Sequence, residues 1–286
     1  PRPCSGLDFG GVQWPPDAGP DDQLALKTAL NVSGSYEGPD GWANITGNFD
    51  GQGLSLGLLN QNLGQGSLQP MLLRLRDQHP EVLRAVLAPA HEASLRAMLA
   101  AWAATASPAS PWVPRSPLDE APPGVQLMSA PNAASVAWAR DTLYQGGRFD
   151  PAWKDELTRL AATPEYVSIQ VAAASDLHLR ALGYEKQVGV RELRAYMMLF
   201  DINVQDGGLY PEDLADYAAY VKAHRKASST ARLEKLLALR LRHVRKAYVQ
   251  DVRARKRTII LGTGVVHGVR RDLPAQYCYD GAWAYK

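Results

Sequence analysis

Apolar residues recur along most of this chain at intervals of three and four, the spacing of one buried helical face. Leu24, Ala25, Leu26, Ala29 and Leu30 follow Asp22, a residue type that caps helix N-termini, and the run stops at Gly38-Pro39, where proline forbids continuation. The same spacing predicts helices near 67–78, 80–88 and 91–104, and then at 131–145, 150–162, 164–182, 189–205, 211–226 and 231–255. A short β-containing turn is expected around 43–57, where glycines are dense. Such a mainly α (α+β) chain with one small β element opposes a doubly wound sheet. Residues 1–20, rich in proline, read as an irregular strap. A first lobe over 21–105 and a helical second lobe over 125–286 are joined by a Pro/Ser/Ala-rich connection at 106–124, and there is no internal repeat.

Glu37 and Asp50 are the candidate chemistry. They lie 13 residues apart, one at the end of the first helix and one in the run Asp50-Gly51-Gln52-Gly53-Leu54-Ser55-Leu56-Gly57. Cleavage of a glycosidic bond asks for one carboxyl that carries a proton to the leaving oxygen and one that is ionised. An aromatic, half-dry setting beside Tyr36 and Trp42 would keep a proton on Glu37, while the amides of Gly51 and Gly53 would keep Asp50 charged.

These residues resemble the start of the chitosanase-like glycoside hydrolases of the lysozyme superfamily, whose order is helix, Glu, short loop, Asp-Gly-x-Gly-x-Ser-x-Gly. Leu199-Phe200-Asp201-Ile202-Asn203-Val204-Gln205-Asp206-Gly207-Gly208 is similar to that family's segment in the other lobe, and Arg257 to Gly268 with Asp272-Leu273 is similar to its closing segment. The resemblance implies a two-lobed lysozyme-like fold, with Glu37 as general acid, Asp50 as general base and Ser55 holding the water. It also implies that Tyr36, Asn60, Asn62 and Gln65 line one wall of a cleft and Asp201, Asn203 and Asp206 the other. The likeness is greatest to bacterial and phage peptidoglycan-cleaving members, including lysozyme domains of secreted antibacterial effectors. Two departures point away from chitosan. The Glu-to-Asp spacing is short for a chitosanase, and the stretch from Leu58 to Ser67 is rich in amides rather than acids. A polycation favours an acidic cleft, whereas amides both donate to and accept from N-acetylated sugars.

Charge and composition alter this picture little. The formal charge is +2, but basic residues dominate from Lys222 to Arg257, relieved by Glu234 and Asp251. That run reads as the solvated face of one long helix over Leu233, Leu236, Leu237, Leu241, Val244 and Tyr248, or as an attraction to an anionic wall or membrane surface. No nucleic-acid motif accompanies it. No segment reaches the roughly 18 apolar residues of a membrane span. The Gly53-x-Ser55-x-Gly57 spacing of a nucleophile elbow lacks its strand–helix series. Gly262, Gly264 and Gly268 read as turn or close-approach positions rather than a dinucleotide loop. His79, His91, His178, His224, His243 and His267 lack metal-ligand spacing, so neither metal nor cofactor is expected. The chain begins Pro1-Arg2-Pro3, as a mature form or a domain of a longer protein would.

The expectation is therefore a peptidoglycan hydrolase of muramidase type, secreted or delivered to the bacterial periplasm, with glycan strands as partner and an immunity protein as the further partner that an effector would bring. Chitosanase, lytic transglycosylase and a non-catalytic wall-binding module are the alternatives. Cys4 and Cys278, one near each end, read either as a disulfide tying the termini or as two free thiols. If they are bridged, mass spectrometry of the unreduced protein finds no alkylatable thiol, and removing the bridge lowers stability by about 2–4 kcal/mol.

Overall fold

The computed structural model describes residues 6–105, 116–121 and 128–285. Cys4, and with it the Cys4–Cys278 pairing, lies outside the described residues, as does most of the 106–124 connection. Twelve α-helices and three small antiparallel sheets make up the described fold, so the mainly helical expectation holds, whereas the single β element expected becomes three, with a hairpin at 144–149 cutting short the helix expected over 131–145. Residues 6–19 lack regular structure apart from turns, and α1 then spans Pro20–Glu37. A three-stranded sheet follows, with β1 at Ile45–Thr46, β2 at Ser55–Leu56 and β3 at Gln61–Asn62. Next come α2 (Gln69–Gln78), α3 (Pro80–Val86), α4 (Pro89–Thr105) and α5 (Ala130–Thr142). A hairpin of β4 (Tyr144–Gln145) and β5 (Arg148–Phe149) leads into α6 (Pro151–Ala161), α7 (Pro164–Val188), α8 (Leu193–Gln205), α9 (Pro211–Ala223), α10 (Ser229–Arg240) and α11 (Val249–Leu261). The chain closes with the hairpin β6 (Thr263–Val266) and β7 (Val269–Asp272), followed by α12 (Leu273–Tyr277).

Local chemistry sets most of these boundaries. Side-chain oxygens of Ser129, Asp150, Thr163 and Ser228 accept backbone N–H groups at the starts of α5, α6, α7 and α10. Asp22 is a correction to the expected cap. Pro20 opens α1, where its missing N–H costs nothing, and the Asp22 carboxylate accepts the Tyr285 hydroxyl at 2.6 Å. The expected helix over 231–255 is also corrected. It ends at Arg240, passes through a 3-10 turn at Leu241–His243 and restarts at Val249. The physical reason is a competing backbone partner, because the Glu120 N–H donates to His243 O at 2.8 Å and the Arg245 N–H to Leu118 O at 2.8 Å.

Two hydrophobic cores result, and they do not follow the division into 21–105 and 125–286. The larger gathers α1 with the part of α7 that follows Gln170, α8, α10 and α11, through residues such as Leu26, Leu30, Val171, Met198, Phe200, Leu237 and Ile259. The smaller gathers α2, α3 and α4 with α5, α6 and the first half of α7, through Leu72, Leu83, Leu99, Trp153, Leu157 and Tyr166. Both cores therefore rest on α7. Where it passes between them, buried Gln170 accepts the Leu58 N–H at 2.8 Å and donates to Ala161 O at 3.0 Å and Trp42 O at 3.3 Å. This one amide joins α7 to the loop just after β2. Gly57 makes the approach possible, since its φ is +87° and a Cβ there would stand 2.5 Å from Gln170 Oε1.

Gly57→Ala combines left-handed strain with that overlap, so it should cost about 1–3 kcal/mol or more, seen as a lowered urea midpoint with an unchanged slope. A midpoint equal to that of the wild type would show that the Gln170 contact does not constrain this loop.

Candidate active site

Glu37 is the last residue of α1 and is held from two sides. Its Oε1 lies 2.6 Å from Arg255 Nη1, and its Oε2 accepts the Asn60 amide at 3.1 Å. The same amide donates to the Glu37 backbone carbonyl at 3.0 Å, so Asn60 grips both ends of the residue. Asn60 has left-handed backbone, φ +49°, and its own oxygen accepts the Asn44 amide at 2.9 Å. Asn44, Asn60 and Glu37 thus form a chain of amides ending on a carboxyl. The expected aromatic setting is corrected here. Trp42 turns its indole N–H to Asp8 O and its ring to Phe9, and Tyr36 is buried with its ring 5.0 Å from the Arg255 guanidinium and 5.4 Å from that of Arg271. Successive helical residues point about 100° apart, so Tyr36 turns into the core while Glu37 does not, although both meet Arg255. Burial pushes the Tyr36 phenol above its ordinary value. Tyr36 is a core residue and not part of a cleft wall.

Behind Arg255 lies a network of fully buried charges. Arg255 donates to both oxygens of Asp201, at 2.7 and 2.8 Å, and Lys256 Nζ stands 3.0 Å from both Asp201 and Asp206. Arg240 then donates to Asp206 O at 2.7 Å and to both oxygens of Asp119, at 2.8 and 2.9 Å. Burial opposes the charge of Asp201, but Arg255 and Lys256 outweigh it and hold the carboxyl well below the usual carboxylate range. Asp206 is pushed up, because its burial outweighs Lys256 and Arg240. Arg255 is raised above its ordinary value; burial opposes this, and Asp201 and Glu37 overcome it. Asp201, Asn203 and Asp206 therefore do not line a wall. Asp201 and Asn203 are buried on α8 and Asp206 just past its end; the two aspartates face the cations behind Glu37, while the Asn203 amide donates to Leu199 O at 3.1 Å.

Asp50 ends a 3-10 turn at Asn48–Asp50 and is exposed. Its carboxylate accepts the Gln52 N–H at 3.0 Å, whereas the Gly53 N–H goes to Asn48 Oδ1 at 2.7 Å, so the expected glycine amides are not its partners. Tyr144 braces the turn from β4 by donating to Gly53 O at 2.6 Å. Burial pushes its phenol up to about 12, which keeps it a donor at neutral pH. Ser55 is buried on β2 directly opposite Thr46 and Asn62, so the three share one sheet face. Thr46 Oγ1 on that face is 3.5 Å from Asn60 Oδ1, and the other face carries Ile45 and Leu56 into the smaller core. Asn62 is buried and accepts the Gln65 N–H at 2.8 Å, so its side chain shapes the loop and does not form a wall. Gln65 is exposed. No group of three or more metal-ligating side chains occurs among the described residues.

No family model matches the chain, and no curated protein sequence matches it. Solved structures do. A chitosanase solved as a complex superposes with a TM-score of 0.53 at 15% identity, covering 89% of this chain and 97% of that one. The native chitosanase of Bacillus subtilis MY002 superposes with a TM-score of 0.50 at 12% identity, covering 84% of this chain and 87% of that one. The likeness is one of fold. It matches the lysozyme-like architecture implied by the motifs, over most of the chain.

Arg255, Lys256, Asn44 and Thr46 escaped the sequence reading. One signal was present: Val252, Arg255, Lys256 and Ile259 share the spacing of a buried helical face, so two cations sit where apolar residues belong. Asn44 carried no such mark.

Removing one partner of a buried ion pair costs about 3–5 kcal/mol, so Asp201→Asn should destabilise the fold by that amount at pH 7. Because the folded-state pKa of Asp201 is depressed, its contribution is full above about pH 4 and is lost as pH falls through the acid range. Urea unfolding at pH 7 and pH 3 should show the gap between variant and wild type narrowing in acid.

Proposed function

We propose that this protein is a glycoside hydrolase acting on the β-1,4 bond between N-acetylmuramic acid and N-acetylglucosamine in peptidoglycan. The observation that carries the reading is the setting of Glu37, a carboxyl fixed between a buried guanidinium and an amide chain, followed in sequence by an exposed aspartate on a braced turn. Arg255 occupies Oε1. Oε2 meets the neutral Asn60 amide, whose orientation is fixed by the Asn44 amide and the Glu37 backbone carbonyl. Oε2 is thus the oxygen from which a proton would pass to the leaving glycosidic oxygen.

Asp50, exposed to water, would take a proton from the attacking water on the far face of the sugar, with Ser55 in the polar sheet row helping to hold that water. Such a division of labour inverts the anomeric centre. The preference for N-acetylated sugar rests on the residues around Glu37. Asn44, Thr46 and Asn60 are neutral donors and acceptors suited to acetamido and hydroxyl groups, and they offer no carboxylate to a glucosamine ammonium. A second reading, hydrolysis of chitosan, is favoured by the fold shared with chitosanases.

Purified cell wall and chitosan, offered in parallel, separate these readings by which one is turned over. Glu37→Gln keeps the shape and removes the transferable proton, so turnover should fall roughly 10²–10⁴-fold with melting near that of the wild type. Asp50→Asn should also lose most activity, with hydrolysed muropeptides as the wild-type product. Predominantly 1,6-anhydro products would instead assign a transglycosylase and remove the water-activating role from Asp50. Full activity of Glu37→Gln would end the assignment.

A further inference from the structure

Beside the turn that carries Asp50 lies an open cavity of about 660 Å³, lined by Asn48, Phe49, Tyr144 and Phe149 together with Arg140 and Lys154. Phe49, next to Asp50, is 85% exposed. No other exposed large apolar side chain among the described residues approaches that value, so core packing does not account for it. Tyr144 and Phe149 stand opposite each other across the β4–β5 hairpin with ring centroids 5.0 Å apart, giving the cavity an aromatic wall. Its cations have no carboxylate facing them from the lining. The acids nearby are engaged elsewhere or weakly held. Asp50 accepts Gln52 N–H, Asp150 caps α6 and accepts the Gln145 amide, and Asp141 lies 3.4 Å from Arg140 with both side chains mostly in water.

We propose that this cavity binds the peptide carried by a wall glycan, through the carboxylates of that peptide. The inference rests on the peptidoglycan reading above. In such a glycan each muramic acid bears, through its lactyl group, a short peptide with free carboxylates and aliphatic side chains. Arg140 and Lys154 match the carboxylates, and Phe49, Tyr144 and Phe149 match the aliphatic parts. The position fits, because the cavity opens on the same turn as Asp50, so a strand set for cleavage there brings its substituents to this side. The same charge repels a polymer of protonated glucosamine. The cavity is therefore a specificity device that distinguishes a peptide-bearing acidic strand from chitosan.

The test is the double variant Arg140→Glu, Lys154→Glu, with both changes on the surface and the fold checked by thermal melting. Turnover is measured on glycan strands that retain their peptides and on strands stripped of them by an amidase. The ratio of kcat/KM for peptide-bearing over stripped strands should fall roughly tenfold in the variant, as expected for reversing two exposed charge contacts. An unchanged ratio overturns the proposal. If the wild type digests neither strand, the enzymatic reading fails by itself, and the cavity is then read by binding. A soluble N-acetylmuramyl peptide with free carboxylates is titrated into wild type and variant and followed by NMR at the Gly146 and Gly147 amides. Saturable binding weakened about tenfold in the variant supports the proposal. Absence of binding, equal affinity in both proteins, or equal affinity for the fully amidated peptide overturns it.

Discussion

Arg255 and Lys256 stand in the interior, where no water solvates them, and the arrangement of three helices follows from that. Moving such ions out of water costs several kcal/mol each, and the interior repays it only through close, well-oriented opposite charge. Asp201 on α8 and Asp206 just past its end face them from one side, and Glu37 at the end of α1 from another. Helices α1, α8 and α11 must therefore meet at one register, since a shift of one residue would leave an ion without a partner. Such networks favour one arrangement over its neighbours more than they favour folding as such. The chain continues through Arg240 to Asp119, which draws in residues 116–121 and interrupts the helix expected over 231–255.

Position of the carboxyl and position of the turn are set by different parts of the molecule. Glu37 belongs to the larger core through α1, while the turn with Asp50 is braced by Tyr144, whose hairpin packs with the smaller core. The two are brought into relation by α7, which is shared by both cores, and by Gln170 at the crossing. The relation between Glu37 and the Asp50 turn is thus fixed by a few contacts rather than by one continuous sheet. The Gln170 amide, with Gly57 opposite it, is one of these contacts, and the Asn44–Asn60–Glu37 chain is another.

The fold is shared with chitosanases, and the surroundings of its two candidate carboxyls differ in chemical character. Glu37 meets the Arg255 guanidinium and the Asn60 amide, and a cavity with two cations lies beside the turn that carries Asp50. Charge is the simplest way for one scaffold to choose between glycans of similar backbone, because the sign of the long-range field acts before any close contact forms.

The sequence by itself determined the helical class, most helix positions and the first small sheet, and it nominated Glu37, Asp50 and Ser55, because these depend on local matters: periodicity, caps, proline, and glycine at Gly57 and Gly262, where helix or strand must turn. It also marked the segment from Leu199 to Gly208 as special, although the reason differed. Buried acids and wall-lining acids look alike in one dimension, and only the approach of α11 decided that Asp201, Asn203 and Asp206 lie beneath the site. The same holds for the basic run, which reads as a solvated face until Asp119, Asp201 and Asp206 are placed beside Arg240, Arg255 and Lys256. Contacts such as Arg255 to Glu37 join residues more than two hundred positions apart. Their energy comes from desolvation and geometry that no local pattern encodes, so the tertiary structure alone decided them.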